Sequence, residues 1–227
     1  MLKPKRKITR KEIKKDPLLE KISQAETIIR KKPKQISYIT IGLVVIIVLS
    51  FIIIRSKKMA NREAAGELGI AELSIQIGDY DDAILRLEKL VDKYTGTKSA
   101  GMAEMLLAQI YLSKLDYENA EECFQKYIND FAHEDMALAS VYNGLGICSE
   151  HNGNYKKAAE HFEKGAELAP FKFQQHECLI NAVRNLIEVR NLERAEILLK
   201  EVLNNEPDYK YKNVAEMLSA EIKVLKG

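Results

Sequence analysis

The chain has 227 residues, of which 46% are hydrophobic and 30% are charged. Its net charge of +2 hides two opposite regions, because residues 1–35 hold 13 Lys/Arg against 4 Asp/Glu and residues 63–227 hold 18 against 29. A long acidic region without a basic stripe argues against nucleic-acid binding, and the length allows one globular or repeat domain behind the basic end.

The basic segment, residues 1–35, predicts a short amphipathic helix on a membrane surface. Asp16 can cap a helix that begins at Pro17 and ends before Pro33. Its apolar residues recur at helical spacing: Leu18, Leu19, Ile22, Ala25 and Ile29. We expect residues 1–58 to contact membrane lipids, with a disordered basic tail and a docking site for a membrane protein as the alternatives.

Residues 36–54, "ISYITIGLVVIIVLSFIII", form a run of 19 residues without one charged side chain. A helix of this length spans roughly 30 Å, about the thickness of the hydrocarbon core of a bilayer. A cleavable signal peptide fits less well, because the run is too long and basic residues follow it directly. A helix buried in a soluble core is the other alternative, although this run is apolar on every face. The sequence therefore predicts a transmembrane helix over 36–54, followed by a helical connector over 55–63.

The charges on either side of this run predict its orientation. Thirteen basic residues precede it, and four follow it: Arg55, Lys57, Lys58 and Arg62. The more basic flank tends to stay in the cytoplasm. We therefore expect a single-pass protein of a bacterial inner membrane, with the N-terminus cytoplasmic and the acidic region in the periplasm.

The acidic region repeats itself with a period of 37–38 residues. Four alanines mark the period, at intervals of 37, 38 and 37 residues: Ala83, Ala120, Ala158 and Ala195. A large residue lies three positions before each alanine: Tyr80, Tyr117, Tyr155 and Leu192. Another lies four positions after each: Leu87, Phe124, Phe162 and Leu199. Four matching copies at near-constant spacing indicate a repeat architecture.

The third copy carries the fullest pattern: Tyr142, Leu145, Gly146, Ala158, Phe162 and Pro170. In these positions the sequence resembles the tetratricopeptide repeat (TPR) family. The resemblance implies an all-α fold without strands, in which the transmembrane helix is followed by an α-solenoid of about four helix hairpins over 64–210. The expected repeats and the terminal capping helix are 64–100, 101–138, 139–175, 176–210 and 211–227. Asn213 is the expected cap of the last helix, and Glu67 and Ser74 predict weak packing of the first repeat, where large residues are expected.

The resemblance also implies that partners bind in a concave groove lined by the first helix of each hairpin. The family's groove positions fall on Leu68, Glu72, Met102, Met105, Gln109, Asn143, Ile147, Glu150, Ile180, Arg184 and Glu188. Only Asn143 and Arg184 resemble the family's clamp for a terminal carboxylate, and no Lys occupies these positions. The mixture of apolar and polar residues predicts a protein or peptide partner with an extended, partly hydrophobic segment.

No enzyme motif is present: the chain lacks a Gly-rich phosphate loop, a G-x-S-x-G elbow and HExxH. Cys148 with His151, and His176 with Cys178, invite a metal hypothesis, but no C-x2-C pair supports it. We expect no catalytic residues, no cofactor and no metal, and leave open whether any of the three cysteines pair.

The whole arrangement, a basic segment, one span and an exported acidic TPR domain, resembles the single-span ancillary subunits of the bacterial Sec translocon. That group pairs with a membrane-anchored periplasmic chaperone, so the resemblance implies a scaffold that assists protein export near the translocon. The alternatives are an import receptor whose TPR domain faces the cytosol, and a permanent structural subunit of an envelope machine.

Overall fold

The structure is a computed structural model that describes residue 21 and residues 33–131, 135–205 and 207–227. The amphipathic helix predicted between Pro17 and Pro33 lies outside the described residues. The chain divides into two compact units, Met1–Lys57 and Lys58–Gly227.

Helix α1, Pro33–Gln76, contains the apolar run. The mean hydropathy of its most apolar window is 2.8, and none of that window is buried, so the helix is long and apolar enough to cross a membrane. The helix continues through the segment after Arg55, as expected from the lack of a helix breaker there.

The second unit consists of the C-terminal part of α1 and eight further helices. They are α2 Tyr80–Lys93, α3 Lys98–Ser113, α4 Tyr117–Phe131, α5 Asp135–His151, α6 Tyr155–Leu168, α7 Lys172–Glu188, α8 Leu192–Asn204 and α9 Tyr209–Lys226. No strand occurs in the described parts of the chain. The first helices of the hairpins are α1, α3, α5 and α7, and the second helices are α2, α4, α6 and α8. The all-α solenoid that the resemblance implied is thus confirmed, and each second helix begins at the residue that the period aligned.

The four turns within the hairpins share one backbone geometry. Each contains a residue with positive φ two positions before the second helix: Gly78, Leu115, Gly153 and Arg190. The residue after it donates its backbone N–H to a carbonyl five positions earlier, as in Asp79 N to Ser74 O at 2.9 Å and Asn191 N to Leu186 O at 2.8 Å. This is the Schellman arrangement, which satisfies carbonyls at the end of a helix.

The same turns also start the second helices. In each turn an Asx side chain accepts a hydrogen bond from the backbone N–H three residues later: Asp79, Asp116, Asn154 and Asn191. These caps stabilise the N-terminus of each second helix by about 1 kcal/mol. One short segment therefore ends one helix and begins the next.

The core lies between successive helices, in three hydrophobic clusters that each join neighbouring hairpins. The repeat alanines Ala83, Ala120, Ala158 and Ala195 are fully buried in them. Gly146 on α5 lies against the ring of Phe162 on α6, which leaves no room for a larger residue. Gly146, Ala158 and Phe162 of the third copy are therefore buried where its two helices meet.

The two ends of the solenoid differ. Helix α9 covers the last hairpin with Ala215, Leu218 and Ile222, which are buried. It begins four residues earlier than the cap expected at Asn213, which lies inside the helix, and Met217 on its outer face is exposed. At the other end Ser74 is buried and donates to Asp82 on α2 at 2.6 Å, whereas Glu67 is exposed.

Candidate functional site

The predicted groove residues lie on the first helices, α1, α3, α5 and α7. Six of them are exposed: Glu72, Met102, Gln109, Glu150, Arg184 and Glu188. Four are half-buried: Leu68, Met105, Asn143 and Ile147. Leu68, Met105 and Ile147 pack along the edge of the hydrophobic clusters, so their side chains belong partly to the core and partly to the surface.

Ile180 differs from the other ten groove residues. Its side chain is only 4% exposed and belongs to the cluster formed by α6, α7, α8 and α9. A partner that approaches the surface of α7 would meet Arg184 and Glu188 rather than Ile180. Ile180 is therefore not part of the exposed surface of α7.

Asparagine side chains connect α5 and α7 on this side of the molecule. Asn181 Nδ2 donates to Asn143 Oδ1 at 3.4 Å, and Asn185 Nδ2 donates to Glu150 Oε2 at 3.0 Å. Cys178 Sγ lies 3.7 Å from Asn143 Oδ1. Asn143 and Glu150, two of the predicted groove residues, are thus hydrogen-bonded to Asn181 and Asn185, which were not predicted from the sequence. Their signal was present in "LINAVRNLI", where two asparagines four residues apart interrupt an apolar helix.

Asn185 is the unusual member of this asparagine group. Its side chain is 1% exposed, and its Nδ2 also donates to the carbonyl of Asn181 at 2.9 Å. Its Oδ1 accepts no hydrogen bond among the described residues. An unpaired buried amide oxygen lowers the stability of the fold. An asparagine at this position therefore has a structural or a binding role that offsets this cost.

The cysteines are placed as packing residues. Cys148 and Cys178 are buried, Cys123 is half-buried, and all three are free thiols. Burial raises the pKa of Cys123 and of Cys178 to about 12 and that of Cys148 to about 11. Thiols with such a pKa are poor nucleophiles and poor metal ligands at neutral pH. Within the described ranges, no group of three His, Cys, Asp or Glu side chains is placed to hold a metal ion.

Comparison with known families agrees with this geometry. Two tetratricopeptide repeat family models match the chain, one over residues 66–97 and one over residues 99–170. These residues lie in the first three hairpins, so this part of the chain carries tetratricopeptide repeats. No curated protein sequence matches it.

Solved structures show the same fold at low sequence identity. RapI in its apo form is 18% identical, with a TM-score of 0.58 over 74% of this chain and 48% of that chain. BtubC (BKLC) from P. vanneervenii is 16% identical, with a TM-score of 0.54 over 70% and 64%. The nearly identical TPR-like repeats of a P. anserina protein described as a kinesin light chain are 14% identical, with a TM-score of 0.52 over 74% and 95%. The chain thus spans less than two thirds of the length of BtubC and of RapI.

These comparisons define the class of the protein at the level of the fold. A TPR solenoid is a scaffold for protein–protein interaction. The surface of the first helices, with its asparagine group, is the candidate site for a partner.

Proposed function

We propose that this protein is a membrane-anchored scaffold that binds an extended segment of another protein along the first helices of its hairpins. The observation that carries the proposal is the hydrogen-bonded pair Asn143 on α5 and Asn181 on α7, whose half-buried amide groups lie beside exposed residues of the same helices. Amide side chains can donate to and accept from the backbone of an extended peptide, which makes binding tolerant of the peptide's sequence.

The residues around the asparagines favour a particular kind of peptide. Met102, which is 48% exposed, and the half-buried Met105 offer apolar surface of adaptable shape on α3. Exposed carboxylates accompany them at Glu72, Glu150 and Glu188, against one exposed cation at Arg184. An extended segment with apolar side chains and a few basic residues complements this surface best.

The membrane anchor and its orientation are part of the same proposal. The uncharged run over 36–54 supports a single span, and the 13 basic residues among 1–35 support a cytoplasmic N-terminus. The partner-binding unit then lies in the periplasm, where emerging exported proteins are extended. The arrangement suits a scaffold near the translocon that works with a periplasmic chaperone.

Site-specific photocrosslinking in membranes tests this function. A photoreactive amino acid at Gln109 or Arg184, both exposed on first helices, should capture other proteins. The matched controls are Leu85 and Ile197, which are 50% and 55% exposed on second helices. Capture that is equal at the controls, or that occurs only at the controls, would contradict the proposed surface.

The pattern of captured proteins separates the alternatives. Many exported proteins captured transiently support the scaffold, and one stoichiometric protein supports a permanent structural subunit. Labelling of an Ile197→Cys variant from outside the inner membrane tests the orientation, because this position is exposed. Labelling only after the inner membrane is broken would support the cytosol-facing receptor instead.

A further inference from the structure

One face of α1 is open to solvent although the same face is buried in every later hairpin. Ile70 and Leu73 on α1 are 45% and 57% exposed. The positions equivalent to Ile70 in the three later hairpins are Leu107, Leu145 and Ala182. Those equivalent to Leu73 are Ile110, Cys148 and Asn185. None of these six residues is more than 4% exposed. In later hairpins the preceding second helix covers this face, for example Leu87 and Val91 of α2 over Leu107 of α3.

The open face continues along the helix with a regular spacing. We call it the α1 seam; its residues are Met59, Glu63, Gly66, Ile70, Leu73 and Ile77. Consecutive members are separated by four, three, four, three and four positions, which is the heptad spacing of a two-helix coiled coil. Met59 and Ile77 are 56% and 79% exposed, so apolar side chains lie at both ends of the seam.

The residue types of the seam favour one kind of pairing. In this register Ile70 occupies an a position and Leu73 a d position, and Ile77 is the first residue after the helix. A β-branched a residue with Leu at d favours two parallel helices. Glu63, also at an a position, accepts a hydrogen bond from Tyr94 at 3.2 Å, which pairs its carboxylate within its own hairpin. The apolar contacts are therefore concentrated between Gly66 and Ile77.

The flanking charges are complementary to a second copy of the same helix. Arg62 falls at a g position and Glu67 at the following e position, and both are exposed. In a parallel, in-register pair a g residue lies beside the e residue five positions later on the other helix. Arg62 of each copy would then lie beside Glu67 of the other, which forms two ion pairs related by the two-fold axis.

We infer that the α1 seam is a dimer interface, in which two copies of this chain pair their α1 helices in parallel. At the opposite end of the solenoid, α9 exposes Met217 and Val224 seven residues apart, whereas α1 exposes Ile70 and Leu73 three residues apart, so the two ends do not present the same surface. The interface is therefore isologous rather than head-to-tail, and it closes after two chains. This inference uses only residues 59–77 and does not depend on the groove or on the membrane anchor.

Disulfide crosslinking of the full chain in detergent tests the pairing directly. A Leu73→Cys variant places two thiols opposite each other at the d position, so mild oxidation should convert most of it to a covalent dimer. Glu72→Cys is the matched control, because Glu72 is exposed on the same helix but lies off the seam. The natural chain, oxidised in the same way, shows how much crosslinking its own three cysteines produce. Equal crosslinking of both variants, or of neither, would overturn the inference.

Light scattering after size-exclusion chromatography tests the residues that hold the pair. The natural chain should have the mass of two copies, and Ile70→Glu with Leu73→Glu should have the mass of one at the same concentration. Because both side chains are half-exposed, the repeat unit should stay folded by circular dichroism. Arg62→Glu should weaken the dimer at least about tenfold, and adding Glu67→Arg should restore it, since the reversed pair is again complementary.

Two outcomes would contradict the dimer. If the natural chain is monomeric at tens of micromolar, the seam does not pair two copies and would instead be a contact with a different protein. A dimer that survives the two glutamates would place the contact elsewhere in the chain.

Discussion

The ring of Phe162 on α6 occupies the space that a side chain at position 146 of α5 would need, because a Cβ built on Gly146 would lie 2.5 Å from the ring. Phe162 itself is fully buried. The close approach of the two helices in the third hairpin therefore depends on a glycine and an aromatic residue together.

Replacing Gly146 should destabilise the repeat unit in proportion to the size of the new side chain. Gly146→Ala should cost about 1–3 kcal/mol and Gly146→Leu more, because either forces the Phe162 ring to move in a packed core. Thermal unfolding followed by circular dichroism measures the effect. In a Phe162→Leu background Gly146→Ala should cost clearly less, and an equal cost in both backgrounds would show that the two residues do not interact.

Two substitutions in the turns should stabilise the repeat unit rather than destabilise it. Leu115 and Arg190 adopt positive φ where Gly78 and Gly153 stand in the other two hairpins. Leu115→Gly and Arg190→Gly should each raise the free energy of unfolding by about 0.5–1 kcal/mol. Glycine removes the strain of the left-handed backbone, and this gain exceeds the cost of the greater conformational entropy of glycine in the unfolded chain. Gly153→Ala should lower it by a similar amount. A loss of stability in both glycine variants would contradict the shared turn geometry.

Lysine substitutions separate the core from the surface of the first helices. Ile180→Lys should destabilise the fourth hairpin by at least about 3 kcal/mol, since it places a charge in a buried apolar site. Met102→Lys should change stability by less than about 0.5 kcal/mol, because that side chain is half-exposed. Denaturant unfolding of the two variants measures the difference. If Ile180→Lys were as stable as the natural chain, Ile180 would belong to the partner surface after all.

The thiols should react slowly with maleimides. Burial raises the pKa of Cys123 and of Cys178 to about 12, which lowers the thiolate fraction at pH 7.5 about a thousandfold relative to an ordinary thiol. The Ile197→Cys variant supplies the exposed comparison, and mass spectrometry over time counts the modified thiols. Since thiolate increases as pH rises toward the folded pKa, the native thiols should gain reactivity up to pH 9. Rapid labelling of all three at pH 7.5 would contradict their burial.

The fold could be predicted from the sequence because its strongest constraint is local and repeated. Each hairpin needs a small residue where its helices cross, so alanines such as Ala83 and Ala158 recur at a fixed interval. The turn caps were equally periodic, at Asp79, Asp116, Asn154 and Asn191, but short polar residues are common in connections and do not stand out in one sequence.

The division of each first helix between core and surface was harder to predict. Ile180 was assigned to the groove by its register, yet the packing of α7 between its neighbours buries it. Asn185 shows the converse, because a polar residue inside the core depends on partners that are distant in sequence, such as Glu150.

Every hydrophobic cluster of this solenoid is shared between adjacent hairpins. An insertion or deletion that keeps the fold should therefore comprise a whole period. Deleting or duplicating one block of 37 or 38 residues preserves the contacts on both sides of the junction, whereas a partial deletion leaves two helices without partners. Homologues that differ in length within this region should therefore differ by complete hairpins.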